Sequence, residues 1–137
     1  MADAKKIVNL LLKKYPNPRC ALNFSSPLEL LVATILSARC TDVKVNEITK
    51  NLFKKYKTAG DYAKADLSVF ETEIRSSGFY RNKAKMIIDC CRKIIAEFNG
   101  KVPSTLEELT TLSGVGRKTA NVVLSNAFNK QAIAVDT

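Results

Sequence analysis

The residues best able to do chemistry in this chain lie in one stretch, Leu112-Ser-Gly-Val-Gly-Arg-Lys-Thr119. Gly114 and Gly116 fall between two short helical segments, where glycine permits a positive φ and leaves the tip bare of side chains. Backbone N–H groups at such a tip, and in the first turn of the next helix, lack partners and point outward. They can hold a phosphate oxygen without reading any base. Val115, between the glycines, is expected to pack inward and anchor the tip. The same pattern suits an ordinary corner between two helices with glycine caps, so the motif alone leaves both uses open. Charge adds weight to the first. The chain carries 22 Lys and Arg against 13 Asp and Glu, a formal +9, and phosphate contacts dominate nucleic-acid affinity.

Other chemistries fall away. The absence of histidine excludes Ser-His-Asp and Cys-His nucleophile pairs and any zinc site that uses imidazole. Cys20, Cys40, Cys90 and Cys91 show no CxxC spacing, and adjacent helical residues such as Cys90 and Cys91 point to different sides. They read as buried reduced thiols, and no metal site is expected from this chain alone.

The elements that must position these residues are helical throughout. Residues 3–14 place Ile7, Leu10 and Leu11 on one face before Pro16-Asn-Pro18 ends the run. Ser26-Pro27 is a cap followed by a first-turn proline, and it opens a nearly wholly apolar helix, Leu28 to Ala38, expected at the domain centre. Thr41-Asp42 caps a helix with a Val45, Ile48, Leu52 and Phe53 stripe. Ser68-Val-Phe-Glu71 reads as a capping box for a short helix ending near Gly78. Residues 81–98 are amphipathic, with Ile87, Ile88, Cys91, Ile94, Ile95 and Phe98 on one side and Gly100 as the stop. Ser104-Thr-Leu-Glu107 reads as a second capping box, for a helix to about Thr111, and Arg117 to Phe128 forms the last helix. Ala132-Ile-Ala-Val135 suits a short strand only weakly. About seven helices in one compact bundle are expected.

A chain of 137 residues is one domain's worth, with 46% hydrophobic residues arguing against a disordered basic tail. No apolar run approaches the roughly 18 residues that cross a bilayer, and the start has no secretory apolar region. An intracellular protein, cytoplasmic or at the nucleoid, is expected. Thr137 comes only two residues after an apolar run, which suggests a fragment of a longer protein.

Leu112 to Leu124, followed by Ala132-Ile-Ala-Val-Asp-Thr137, resembles the helix–hairpin–helix and catalytic segment of the endonuclease III family, base-excision DNA glycosylases with AP lyase activity. The likeness includes Leu22-Asn-Phe-Ser-Ser-Pro27, Leu36-Ser-Ala-Arg-Cys-Thr-Asp42 and Gly78-Phe-Tyr-Arg-Asn-Lys-Ala84, and so spans nearly the whole chain. It implies an all-α helix–hairpin–helix glycosylase fold. Residues 1–20 would be the N-terminal helix of an incomplete iron–sulfur domain, and 21–131 a six-helix barrel domain with the helix–hairpin–helix at about 104–128. Residues 132–137 would begin a missing C-terminal part.

Carried over residue by residue, the resemblance makes Lys118 the Schiff-base nucleophile and Asp136 the catalytic carboxylate. A neutral lysine amine attacks C1′ of the damaged nucleotide, the base leaves, and β-elimination from the imine cuts the strand on the 3′ side. The carboxylate assists proton transfer or stabilises the oxocarbenium-like sugar. Gly114, Val115, Gly116, Arg117, Thr119, Ser37, Arg39 and Thr41 are implied DNA contacts. Such enzymes flip the target nucleotide out and fill the gap with a side chain. Arg39 stands where the family usually has glutamine, and it can stack on or hydrogen-bond to the orphaned base; an exposed arginine touching phosphate is the alternative. Ser113 replaces the hairpin's usual proline, and Asn129-Lys-Gln131 lacks the Gly and Pro often found there.

The implied partner is double-stranded DNA with oxidised pyrimidines or abasic sites, bound by a monomer. The family's cluster-ligating cysteines fall beyond position 137. A 4Fe–4S cluster is thus implied for the full-length protein, while this chain is expected to bind no cofactor and no metal. Two alternatives stand beside this one. A related adenine-type monofunctional glycosylase lacks a lysine at the position of Lys118, and a non-catalytic DNA-binding module would not need Asp136.

Overall fold

The computed structural model describes residues 22–128. The expected helix at 3–14, the possible strand at 132–135, Cys20 and Asp136 lie outside them. The domain boundaries placed at 20 and 131 also fall there. Among the described residues the order is α1 (Pro27–Leu36), α2 (Asp42–Lys55), α3 (Ala59–Ala63), α4 (Leu67–Glu73), a 3-10 turn (Arg75–Ser77), α5 (Tyr80–Phe98), α6 (Leu106–Leu109) and α7 (Arg117–Ala127), with no strand.

Helix α1 is the centre of the fold. Ser26 accepts the Glu29 N–H at 3.2 Å and Pro27 stands in the first turn, as the sequence predicts. Leu30, Leu31, Val32, Ala33, Ile35 and Leu36 are all buried, so its apolar residues occupy the whole circumference rather than one stripe. It packs against α2, α5 and α7. Helix α2 starts at Thr41, whose hydroxyl accepts the Lys44 N–H at 3.1 Å, and it buries Val45, Thr49 and Leu52.

Two capping assignments differ from expectation by a residue or two. Asp66, not Ser68, starts α4: its carboxylate accepts the Ser68 and Val69 N–H groups at 2.9 and 3.3 Å, and Ser68 itself donates to Asp66. A carboxylate two residues earlier is the stronger acceptor for orphaned N–H groups. Likewise Thr105, not Ser104, accepts the Glu108 N–H at 3.1 Å at the start of α6. The reciprocal capping box lies elsewhere, at Thr58 and Asp61 on α3.

Helix α5 packs against α3 and α4. It buries Lys83, Ala84, Ile87, Ile88, Cys90, Cys91 and Ile94, while Ile95, expected on the apolar face, is exposed. Cys90 and Cys91 diverge by a helical step yet both are enclosed, because α5 is covered on more than one side. Tyr56 stacks on Tyr62 at 4.8 Å between ring centroids, and Phe70 meets both rings edge-on, which joins α3 and α4 to the end of α2. Asn99 and Gly100, at φ 56° and 81°, end α5.

Candidate nucleic-acid interface

The hairpin between α6 and α7 is closed by two backbone hydrogen bonds, Leu112 N–H to Leu109 carbonyl and Val115 N–H to Leu112 carbonyl, each 3.1 Å. Leu109, Leu112 and Val115 are buried. Val115 therefore anchors the tip inward, as its place between two glycines suggests. The two glycines are not equivalent, and only one uses the positive φ that glycine permits. Gly114 is left-handed at φ 78°, and a Cβ there would lie 3.0 Å from both Cβ and Sδ of Met86. Gly116 has φ −94° and precedes α7, and a Cβ there would meet nothing within 4 Å. The first glycine serves the turn. The second leaves an open approach from outside.

No side chain caps α7, and its first backbone bond runs from the Ala120 N–H to the Gly116 carbonyl at 2.9 Å. The N–H groups of Gly116, Arg117, Lys118 and Thr119 therefore find no acceptor among the described residues. This is the anion-binding geometry of an uncapped helix start. Arg117 and Lys118 are exposed there and Thr119 is half-buried. One turn on, Ala120, Asn121, Val123 and Leu124 are buried, and α7 packs on α1 and α6. Lys118 thus projects from a rigid, well-anchored helix. Ion pairs join Lys44 to Glu47 and Lys55 to Glu73, and none among the described residues involves Lys118.

A second exposed element sits at the far end of α1. Ser37 donates to the Thr34 carbonyl at 2.7 Å and Thr41 caps α2, so both hydroxyls already serve the fold. Between them Arg39 is exposed and left-handed at φ 57°. Its guanidinium lies 5.1 Å from the centroid of the Phe79 ring. Phe79 is itself left-handed, at φ 48°, and 58% exposed. A large aromatic side chain is thus held out in a left-handed conformation with an arginine over its ring. Sequence reasoning did not single out Phe79; the available signal was a bulky apolar residue directly after Gly78 and just outside the amphipathic stretch. The structure brings Ser37, Arg39 and Thr41 together in one loop and Gly114 to Thr119 in the hairpin, the two joined through the α1–α7 contact.

The described residues do not suit an iron–sulfur cluster, which needs several converging thiolates. Among them no three Cys, Asp or Glu side chains are grouped to hold a metal. Cys40, Cys90 and Cys91 carry free thiols. Burial pushes Cys90 up to about 12 and Cys91 higher still, so neither is a ready thiolate. No described helix is long and apolar enough to cross a membrane.

A profile of the HhH-GPD superfamily of base excision DNA repair proteins matches residues 32–137. Endonuclease III of a Synechocystis strain is 53% identical over 135 residues, covering 98% of this chain and 62% of that protein. The Bacillus subtilis endonuclease III is 52% identical over 123 residues, covering 90% and 56%. The Escherichia coli K12 protein is 45% identical over 136 residues, covering 99% and 64%. This chain therefore spans about three-fifths of the length of these curated relatives. A solved endonuclease III–DNA covalent intermediate superposes with a TM-score of 0.82 at 47% identity, over 93% of this chain and 60% of that one. A thermostable thymine-DNA glycosylase superposes at 0.79 with 28% identity, over 92% and 59%.

Proposed function

The chain belongs to the HhH-GPD superfamily of base excision DNA repair proteins, and on that premise we propose that it acts as a DNA glycosylase with AP lyase activity. The substrate is double-stranded DNA carrying oxidised pyrimidines or abasic sites, bound by a single copy of the protein. The observation that carries this reading is the uncapped start of α7. The four N–H groups of Gly116 to Thr119, which have no acceptor among the described residues, and the exposed Lys118 amine occupy the same turn, so a docked phosphate fixes the sugar near a nucleophile.

In this reading the hairpin holds the backbone of the damaged strand, with Gly116 open to the phosphate. The Lys118 amine forms a bond to C1′ as the C1′–N bond to the base breaks and the base leaves with the electron pair. The amine then loses a proton, and its lone pair forms the C1′=N bond as the C1′–O4′ bond breaks and O4′ takes up a proton, which leaves a protonated imine. Loss of a C2′ proton expels the 3′ phosphate and cuts the strand. Asp136 is the proposed carboxylate partner, and Arg39 with Phe79 occupies the space left by the flipped nucleotide. Any 4Fe–4S cluster belongs, in this proposal, to cysteines beyond position 137, and no step passes through it.

The test is incubation with a duplex containing one oxidised pyrimidine. Base release with a strand cut on the 3′ side, without alkali, is expected. Base release with no cut would assign a monofunctional glycosylase, and tight binding with neither would assign a non-catalytic clamp.

A further inference from the structure

Lys83 has no part in the proposed glycosylase chemistry, yet it is 2% exposed and carries an ammonium. Burying such a group is costly unless its donors are satisfied. Its Nζ donates to the Leu36 carbonyl and to the Ser77 carbonyl, each at 2.8 Å. Leu36 is the last residue of α1, where carbonyls lack partners within the helix. Ser77 ends the 3-10 turn. The attraction of a cation for a helix C-terminus thus comes from a residue 47 positions away. Burial pulls the ammonium below the usual lysine value, while the nearby Cys40 thiol acts in the opposite sense.

Each acceptor lies just ahead of a residue in a strained conformation. Three residues after Leu36 comes Arg39, and two after Ser77 comes Phe79. These are two of the three non-glycine residues with positive φ among the described residues. Strained conformations of this kind persist only where the surroundings over-determine them. We propose that Lys83 is a positioning residue: its buried ammonium ties the backbone beneath Arg39 to the backbone beneath Phe79, and so presents the two exposed side chains as one unit toward the gap in the DNA. The tie rests on geometry alone; its use on DNA rests on the proposed glycosylase function.

Two readouts on the intact protein separate these parts. Without DNA, trypsin cleavage after Arg39 is followed in Lys83→Met, using the exposed Lys64 as an internal reference. Cleavage at Arg39 relative to Lys64 is expected to rise about tenfold as the loop opens locally, and Lys83→Arg, which keeps charge and donors, is expected to restore most of the protection. With DNA, the affinity ratio for an abasic-analogue duplex over an undamaged one is expected to fall about tenfold in Lys83→Met, as in Arg39→Ala, with little further loss in the double variant. Unchanged cleavage in a folded Lys83→Met protein would overturn the tie. If that variant does not fold, NMR of the wild-type Lys83 ammonium decides instead: slowly exchanging protons coupled to the two carbonyl carbons support the tie, and fast exchange overturns it. Loss of discrimination in Arg39→Ala but not in a cleavage-sensitive Lys83→Met would overturn the positioning role. Raised cleavage with discrimination intact in both variants supports the tie and removes the gap-filling role from Arg39.

Discussion

Gly114 and Gly116 separate two demands that one motif places on the hairpin. Gly114→Ala forces a side chain into a left-handed position against Met86 and is expected to destabilise the fold by about 1–3 kcal/mol. Thermal unfolding would show this. Gly116→Ala meets neither strain nor a protein neighbour, so its thermal midpoint should stay unchanged while the added methyl obstructs a phosphate. Binding to intact and abasic duplexes should weaken together, with the salt slope reduced by about 1; a loss confined to abasic DNA would refute the phosphate role. Arg39→Ala should behave in the opposite way, losing affinity for an abasic analogue but not for undamaged duplex, because a gap exists only once a nucleotide has left the stack. Equal losses on both would make Arg39 a phosphate contact. Lys118 was singled out only by the family resemblance, whereas the places of Gly114 and Val115 were legible because glycine spacing reports directly on backbone freedom. The pairing of Arg39 with Phe79, about 40 residues apart in sequence, was not, since it depends on two loops meeting.

Among the elements, α1 was legible because its apolar residues run without interruption, and α2, α5 and α7 because each is long enough to show a 3.6-residue period. Helix α3 was not: five residues, Ala59–Ala63, make barely one turn, too short for periodicity to show. The caps of α4 and α6 slipped because neighbouring Ser, Thr and Asp residues all compete for the same N–H groups, and only the folded backbone decides among them. These caps predict an acid limb to stability. Hydrogen bonds from Lys57 and Thr58 hold the Asp61 carboxyl below its usual 3.8, and those from Ser68 and Val69 do the same for Asp66. A lowered folded value means the unfolded chain binds protons first. The contribution is therefore complete above the ordinary carboxylate value and lost as pH falls through the folded one. Unfolding followed from neutral pH to pH 2 should show a shallower acid loss in Asp66→Asn than in the wild type; identical slopes would contradict the capping role.

For the whole molecule, the net charge of +9 and the two exposed elements meet on one framework, α7 packed on α1. The sequence makes the helical class and the basic surface plain, but the sharing of α1 by hairpin and Arg39 loop is a tertiary fact with no local signature. That arrangement gives one direct test. Borohydride reduction of the protein with abasic-site DNA should trap a covalent adduct on Lys118, because only an amine forms a reducible imine. Lys118→Gln should abolish trapping while leaving duplex affinity nearly unchanged. Asp136→Asn should slow base removal by about 10²–10⁴-fold and still allow trapping on a pre-formed abasic site. Undiminished trapping by Lys118→Gln, with the adduct mapped to another residue, would contradict the assignment of Lys118 as the nucleophile.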